Sequence, residues 1–382
     1  MTGGEMTIKI FDMKRSFFIL LFPVIMYANN PDSSVLTMLV GTYTSGSSVG
    51  IYTFRFETDN LTVQPLSQAV AGNPSYLTVS PDLDYVYAVS ESGDISNVNA
   101  YAFDKSDGTL RLLNKRQVEK NPCYILYHTF TRTVITANYT AGSVSIIQVA
   151  ADGSLTDRQI TFRYEGKGVI PARQSSPHLH CVIATPDNKA IFTADLGTDM
   201  IHKIDISQSP NETDDLSTIF TRSTSYALEP GSGPRHITFN KNHTHAYVIN
   251  ELSGMVSVLS IDADNNLTPQ QYVIADTLQA GGSADIHLSR DEKFLYASTR
   301  LKGDGVAIFS VNNDGTLKRI GFQATGKHPR NFAITPDGNL MLVACRDSNE
   351  IQIYYINKMT GLLTDSGKTI RVDQPVCIQF VQ

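Results

Sequence analysis

SYLTVSPDLDYVYAVSE, residues 75–91, decides the fold: a short apolar strand, a Pro-Asp turn, and a second apolar strand that ends in polar residues. The phrase returns as CYILYHTFTRTVITANY from Cys123, LHCVIATPDNKAIFTADLG from Leu179, RHITFNKNHTHAYVINELSG from Arg235, DIHLSRDEKFLYASTR from Asp285 and RNFAITPDGNLMLVACRD from Arg330. Its turn falls at Pro81, Thr129, Pro186, Lys241, Arg290 and Pro336, at spacings of 48, 57, 55, 49 and 46 residues, so one period recurs with variable loops. Each copy continues into a third alternating segment and a turn leading into Leu. That second marker reads TDNL at 58–61, DGTL at 107–110, DGSL at 152–155, TDDL at 213–216, DNNL at 264–267, DGTL at 314–317 and TGLL at 360–363. Asp-Gly and Asn-rich turns between alternating apolar runs are hairpin chemistry, because these residues tolerate positive φ. Four strands per unit follow.

The second marker occurs seven times and the first six, and the chain ends account for the difference. MLVGTYTSG, from Met38, begins at the second strand of a unit, while PVCIQFVQ, 375–382, reads as a lone first strand. Joining them predicts an all-β, seven-bladed β-propeller of four-stranded antiparallel blades, closed by N- and C-terminal strands in one blade, which hides the sheet edges. The propeller spans 36–382 as one domain. There is no Trp, which excludes the WD-repeat type.

A net charge of -6 with no basic stretch argues against a nucleic-acid partner. Lys14 and Arg15 precede an apolar run, Phe17–Tyr27, ending at Ala28, the pattern of a signal peptide with Met13 as natural start and residues 1–12 as an upstream extension. The expectation is an exported, periplasmic protein, or a cytoplasmic one if that segment is not used. The run is short for a membrane span and no Cys follows it, so no membrane anchor is expected. Cys123, Cys181, Cys345 and Cys377 sit in separate apolar runs and read as buried thiols. A monomer or weak homodimer is expected.

First strands start, and second strands end, at the same blade edge, because the two are antiparallel neighbours. That edge collects His178 and His180, Arg235 and His236, Asn250 and Glu251, Asp285 and His287, Arg300, Arg330 and Arg346. The opposite edge offers only turns such as SPDL, TPDN and TPDG, and His243 and His245 near it are expected to face solvent. The long loop EGKGVIPARQSSP, 165–177, carries Arg173 to the polar mouth as rim or lid. Tyr43, Glu91 and Asn138 are weaker candidates at the same edge.

SPHLH at 176–180, GSGPRHITF at 231–239, VINEL at 248–252, ADIHLSRDEKFLYASTR at 284–300 and HPRNFAITPDG at 328–338 resemble the propeller-type lactonase family, which includes bacterial 6-phosphogluconolactonases and fungal carboxymuconate lactonizing enzymes. The resemblance covers nearly the whole chain after the leader. It implies a site at one end of the channel, no required metal or other cofactor, a small sugar lactone as partner, and a catalytic set of an SPHLH histidine, Arg235, Glu251 and Arg300. His178 and His180 are not separated by the motif. The exported start departs from the family pattern, since 6-phosphogluconolactone is made in the cytoplasm.

Opening a lactone needs a base for the attacking water, a group for the oxyanion and a proton for the leaving oxygen. Glu251 or a histidine suits the first, while Arg235 and Arg300 suit the second or an anionic substituent, since guanidinium groups grip oxyanions bidentately. His236, Asn250, Asp285, His287, Arg330, Arg346 and Arg173 are expected to bind substrate. Against these stand plainer readings: Glu251 as a structural ion pair between blades, His178 and His180 as metal ligands, and Arg330 and Arg346 as mere channel lining. A muconate-type cycloisomerase and a non-catalytic binding propeller are the alternatives to a lactonase.

Overall fold

Twenty-eight strands pair into seven antiparallel sheets of four in the computed structural model, which describes residues 34–207 and 214–381. The expected leader, with Lys14, Arg15 and Ala28, lies outside the described residues. Among the described residues no helix is long and apolar enough to cross a membrane.

In six blades four consecutive strands run outward in chain order. Blade five shows the plan: Pro234–Phe239 innermost, then His245–Asn250, Met255–Ile261 and Leu267–Ile274. The remaining blade is the composite one. Its inner strand is Pro375–Val381, paired antiparallel with Val35–Thr42, so that Met38 faces Phe380 and Gly41 faces Cys377. Apolar clusters fill the spaces between neighbouring blades; one joins Met38, Val40 and Phe56 of the composite blade to Leu342, Ile351 and Ile353 of the seventh. All four cysteines are buried free thiols.

The recurring Leu marker has a packing cause. Gly153, Gly315 and Gly361 lie in the turns between third and fourth strands with φ of +79°, +81° and +71°. Side chains of the preceding blade, Tyr85, His245 and Phe294, lie so close that a Cβ on these glycines would overlap their rings. The preceding blades also donate Tyr87, Tyr247 and Tyr296 hydroxyls to the same three carbonyls, at 3.0, 3.0 and 2.9 Å. Each turn is therefore a socket for its neighbour. The copy at 213–216 departs from the pattern: Asp215 caps a single helical turn, Leu216–Ile219, whose Leu216 and Ile219 pack under the blade.

At the opposite edge the SPDL, TPDN and TPDG turns close on themselves. Ser80, Thr185 and Thr335 donate their hydroxyls to Asp82, Asp187 and Asp337 two residues on, the last two at 2.6 Å. His243 and His245 are half-buried there rather than solvent-facing: His243 bonds Asn265 at 2.7 Å, and His245 packs on the Gly315 turn.

Candidate active site

The polar mouth is built from two positions per blade. The first is an extra residue at the head of the inner strand. Pro234 pairs with Asn250 and His236 with Ile249, which leaves Arg235 without a partner in the ladder, and the same bulge singles out Val376, Cys123, His180 and Arg330. A bulge breaks strict alternation and re-aims one side chain. In the other two blades the inner strand starts late, after Tyr76 and Asp285. The second position is the residue just past each second strand: Tyr43, Glu91, Tyr139, Leu196, Glu251, Arg300 and Arg346.

Glu251 is the hub of the arginines. Its Oε1 accepts from Arg173 Nη2 at 2.6 Å, and its Oε2 from Arg235 Nε at 3.0 Å and Arg300 Nη2 at 3.2 Å. Burial alone would raise its pKa, but Arg300, Arg235 and Arg173 overcome this and hold it down at about 2. Both carboxylate oxygens of Glu251 are thus taken up by guanidinium groups from three parts of the chain. The loop carrying Arg173 is itself anchored: buried Gln174 donates to Leu196 O and to Asp199, and Asp199 also accepts from the backbone of Gly231 and Gly233. It forms a fixed part of the rim.

Arg300 is saturated by Gly282 O at 2.6 Å, Glu251, Ser283 O and His328 Nε2 at 3.0 Å. His328 was not singled out by its residue type, yet it stands between Arg300 and Arg346, and burial followed by these two cations pulls its pKa to about 3. Arg346 pairs with its own neighbour Asp347 at 2.6 Å. Arg330 differs from the other four arginines of the mouth. It makes no hydrogen bond or ion pair with any described residue, and its guanidinium lies 5.4 Å from the centroid of the Tyr43 ring. The Tyr43 hydroxyl donates to Glu91 at 3.0 Å.

The two SPHLH histidines separate cleanly. His178 precedes the strand, stacks on Tyr139 at 4.5 Å and bonds the Tyr139 carbonyl at 3.1 Å, half-exposed on the rim. His180 is the bulge residue, buried, with its ring edge-on to His236 at 5.5 Å and Nδ1 3.6 Å from Cys123 Sγ. Burial, then Arg235, His236 and Arg330, keep it neutral, its pKa well below the ordinary value. Its Nε2 has no hydrogen bond among the described residues. No group of three His, Cys, Asp or Glu among those residues is placed to hold a metal ion.

Deeper in the channel, Asp285 binds blades together. Its two oxygens accept from His236 Nδ1 at 2.7 Å, His287 Nε2 at 3.0 Å, Asn331 Nδ2 at 2.6 Å and the amides of Ile286 and Phe332. His236 in turn receives Arg235 Nη1 on Nε2 at 3.1 Å, so both its nitrogens are engaged. Asn250 sits inside its blade. Its amide donates to Met255 O and Ser257 Oγ, as Asn138 donates to Ser143 and Ser145 one strand-end away in blade three, which makes both sheet ties.

A channel-end cluster of guanidinium and imidazole groups on a propeller of this construction defines a class. Residues 37–380 match the model of the lactonase family of seven-bladed β-propellers, and the chain belongs to that family. It is 36% identical over 352 residues to a 6-phosphogluconolactonase of Formosa agariphila, covering 90% of this chain and 99% of that one. Among solved structures, a Bacteroides fragilis protein with a provisional 6-phosphogluconolactonase assignment is 49% identical with a TM-score of 0.87, covering 92% of this chain and 99% of its own. A periplasmic gluconolactonase of Pseudomonas aeruginosa is 31% identical with a TM-score of 0.80, over 91% and 99% of the two chains.

Proposed function

We propose that this mouth hydrolyses a six-membered sugar lactone, 6-phosphoglucono-1,5-lactone or its unphosphorylated relative, to the open acid. The observation that carries the reading is the division of labour among the arginines: Glu251 fixes three of them, while Arg330, stacked on Tyr43, makes no hydrogen bond or ion pair with its guanidinium among the described residues and lies near His180. His180 Nε2 takes a proton from water as that water attacks the carbonyl carbon. Arg330 and Arg235 Nη2, which has no hydrogen bond among the described residues, receive the oxyanion, and the imidazolium returns its proton to the ring oxygen as the C–O bond breaks. No covalent intermediate is needed. The relatives named above, all lactonases by description, support the same substrate class. Export to the periplasm is part of this proposal, resting on the Lys14–Ala28 pattern and the likeness to a periplasmic gluconolactonase.

The test is a lactone panel, glucono-1,5-lactone and its 6-phosphate included, run with EDTA present. Hydrolysis above the buffer rate is expected, and its ratio between the two substrates assigns the phosphate preference. A rate at background for every lactone would refute the reading, and an EDTA-sensitive rate would return the histidines to metal ligation.

A further inference from the structure

Cys123 and His180 occupy the same bulge position at the heads of neighbouring inner strands, in blades three and four, so the repeat brings their side chains together. Cys123 Sγ is buried among four polar neighbours: the carbonyls of Leu179, His180 and Ala137 at 3.6, 3.7 and 3.8 Å, and His180 Nδ1 at 3.6 Å. A thiol has one S–H, and the three carbonyls can only accept it. The imidazole nitrogen can also donate. Burial pushes the thiol pKa up, so the S–H stays in place for a carbonyl and the sulfur lone pairs stay open to an N–H. A neutral imidazole likewise has one N–H. On Nδ1 it satisfies the sulfur. On Nε2 it would leave the sulfur without a donor and set an N–H, in place of a lone pair, in the field of Arg235 and Arg330.

We propose that Cys123 is a positioning residue for the lactone-opening step: its sulfur accepts the Nδ1 proton of His180, holds the ring in the Nδ1–H tautomer, and leaves the Nε2 lone pair to take the proton of the attacking water. This rests on the reading of His180 as the base. The Nδ1 proton stays where it is throughout, while the proton that moves passes from water to Nε2 and on to the ring oxygen. The thiol makes no bond to substrate. A carboxylate in its place would orient the ring equally well but would favour the imidazolium and raise the pKa of the histidine; an uncharged sulfur orients the ring and leaves it a neutral base.

The test is nitrogen NMR of the isotope-labelled histidine rings in the full-length protein at neutral pH, with His180→Gln identifying the His180 signals, beside kinetics on glucono-1,5-lactone. In the wild type His180 is expected to carry its proton on Nδ1, with Nε2 bare. In Cys123→Ala the two tautomers mix and kcat falls about tenfold with KM unchanged. Cys123→Ser, whose oxygen accepts the same N–H, restores kcat to within about threefold of the wild type. Cys377→Ala, which removes another buried thiol from the inner strand of the composite blade, changes neither readout. The NMR measurement does not need turnover: a wild type that opens no lactone would sink the lactonase reading, and the tautomer would still decide whether Cys123 orients His180. The proposal is overturned if wild-type His180 carries its proton on Nε2, if Cys123→Ala leaves both tautomer and kcat as in the wild type, or if both Cys123 variants abolish turnover while Cys123→Ala keeps the Nδ1–H tautomer, which would make the thiol a nucleophile.

Discussion

The two ends of the channel are made from the same strands and the same repeat, yet they differ in how their polar groups are satisfied. At the turn end, Thr185 and Thr335 bond the Asp two residues away, within one blade and one turn. At the arginine end, Glu251 joins Arg173 from the long loop, Arg235 from its own blade and Arg300 from the next. Local satisfaction leaves nothing to react. Satisfaction across blades needs the whole ring, and among the described residues it leaves Arg330, stacked on Tyr43, without a hydrogen-bond or ion-pair partner on its guanidinium.

The sharpest way to break both ends at once is to remove residues 375–382, which strips the composite blade of its inner strand. No cooperative thermal transition is expected from that truncation, whereas removal of residues 1–28 leaves the transition in place. Glu251→Ala strikes only the arginine end. It leaves buried guanidiniums unpaired, so a stability loss of roughly 3–5 kcal/mol by denaturant titration should accompany the loss of lactonase activity. His180→Gln should separate chemistry from structure, lowering kcat by roughly two to four powers of ten with an unchanged melting temperature; an unchanged kcat would remove His180 as the base.

Acid tests both ends together. His236 at the arginine end and His128 at the turn end are buried, and burial, joined by Arg235 in the first case, lowers each pKa from 6.5 to about 4. Between these values the unfolded chain binds the proton and the folded chain does not, so stability falls as pH drops from about 6.5 to about 4. Each site contributes on the order of 3 kcal/mol to that fall. Denaturation curves of His128→Gln should show a shallower loss over this window, with activity at pH 7 unaffected. The smallest effect belongs to Thr335→Ala, which removes the hydroxyl's bonds to Asp337, Leu340 O and the Leu340 amide and should cost about 1–3 kcal/mol without touching lactone turnover.

The period, the blade number and the closure were legible because each rests on local chemistry: alternation, positive-φ turns, and strands missing at the chain ends. So was the polar edge, since antiparallel pairing places its residues without further information. Roles within that edge were not. Asn250 and Glu251 are adjacent in sequence, yet one ties a sheet and the other gathers three arginines. His178 and His180, which alternation would put on one face, are parted by the bulge at His180. Arg300 and Arg330 look alike in sequence, but four hydrogen-bond partners saturate the first, while the guanidinium of the second has only the Tyr43 ring among the described residues. The sequence by itself therefore determined the propeller and which end of it carries charge, both being sums of short-range preferences. Only the tertiary structure decided which charges are paired, because pairing in a closed ring depends on side chains brought together from blades tens of residues apart.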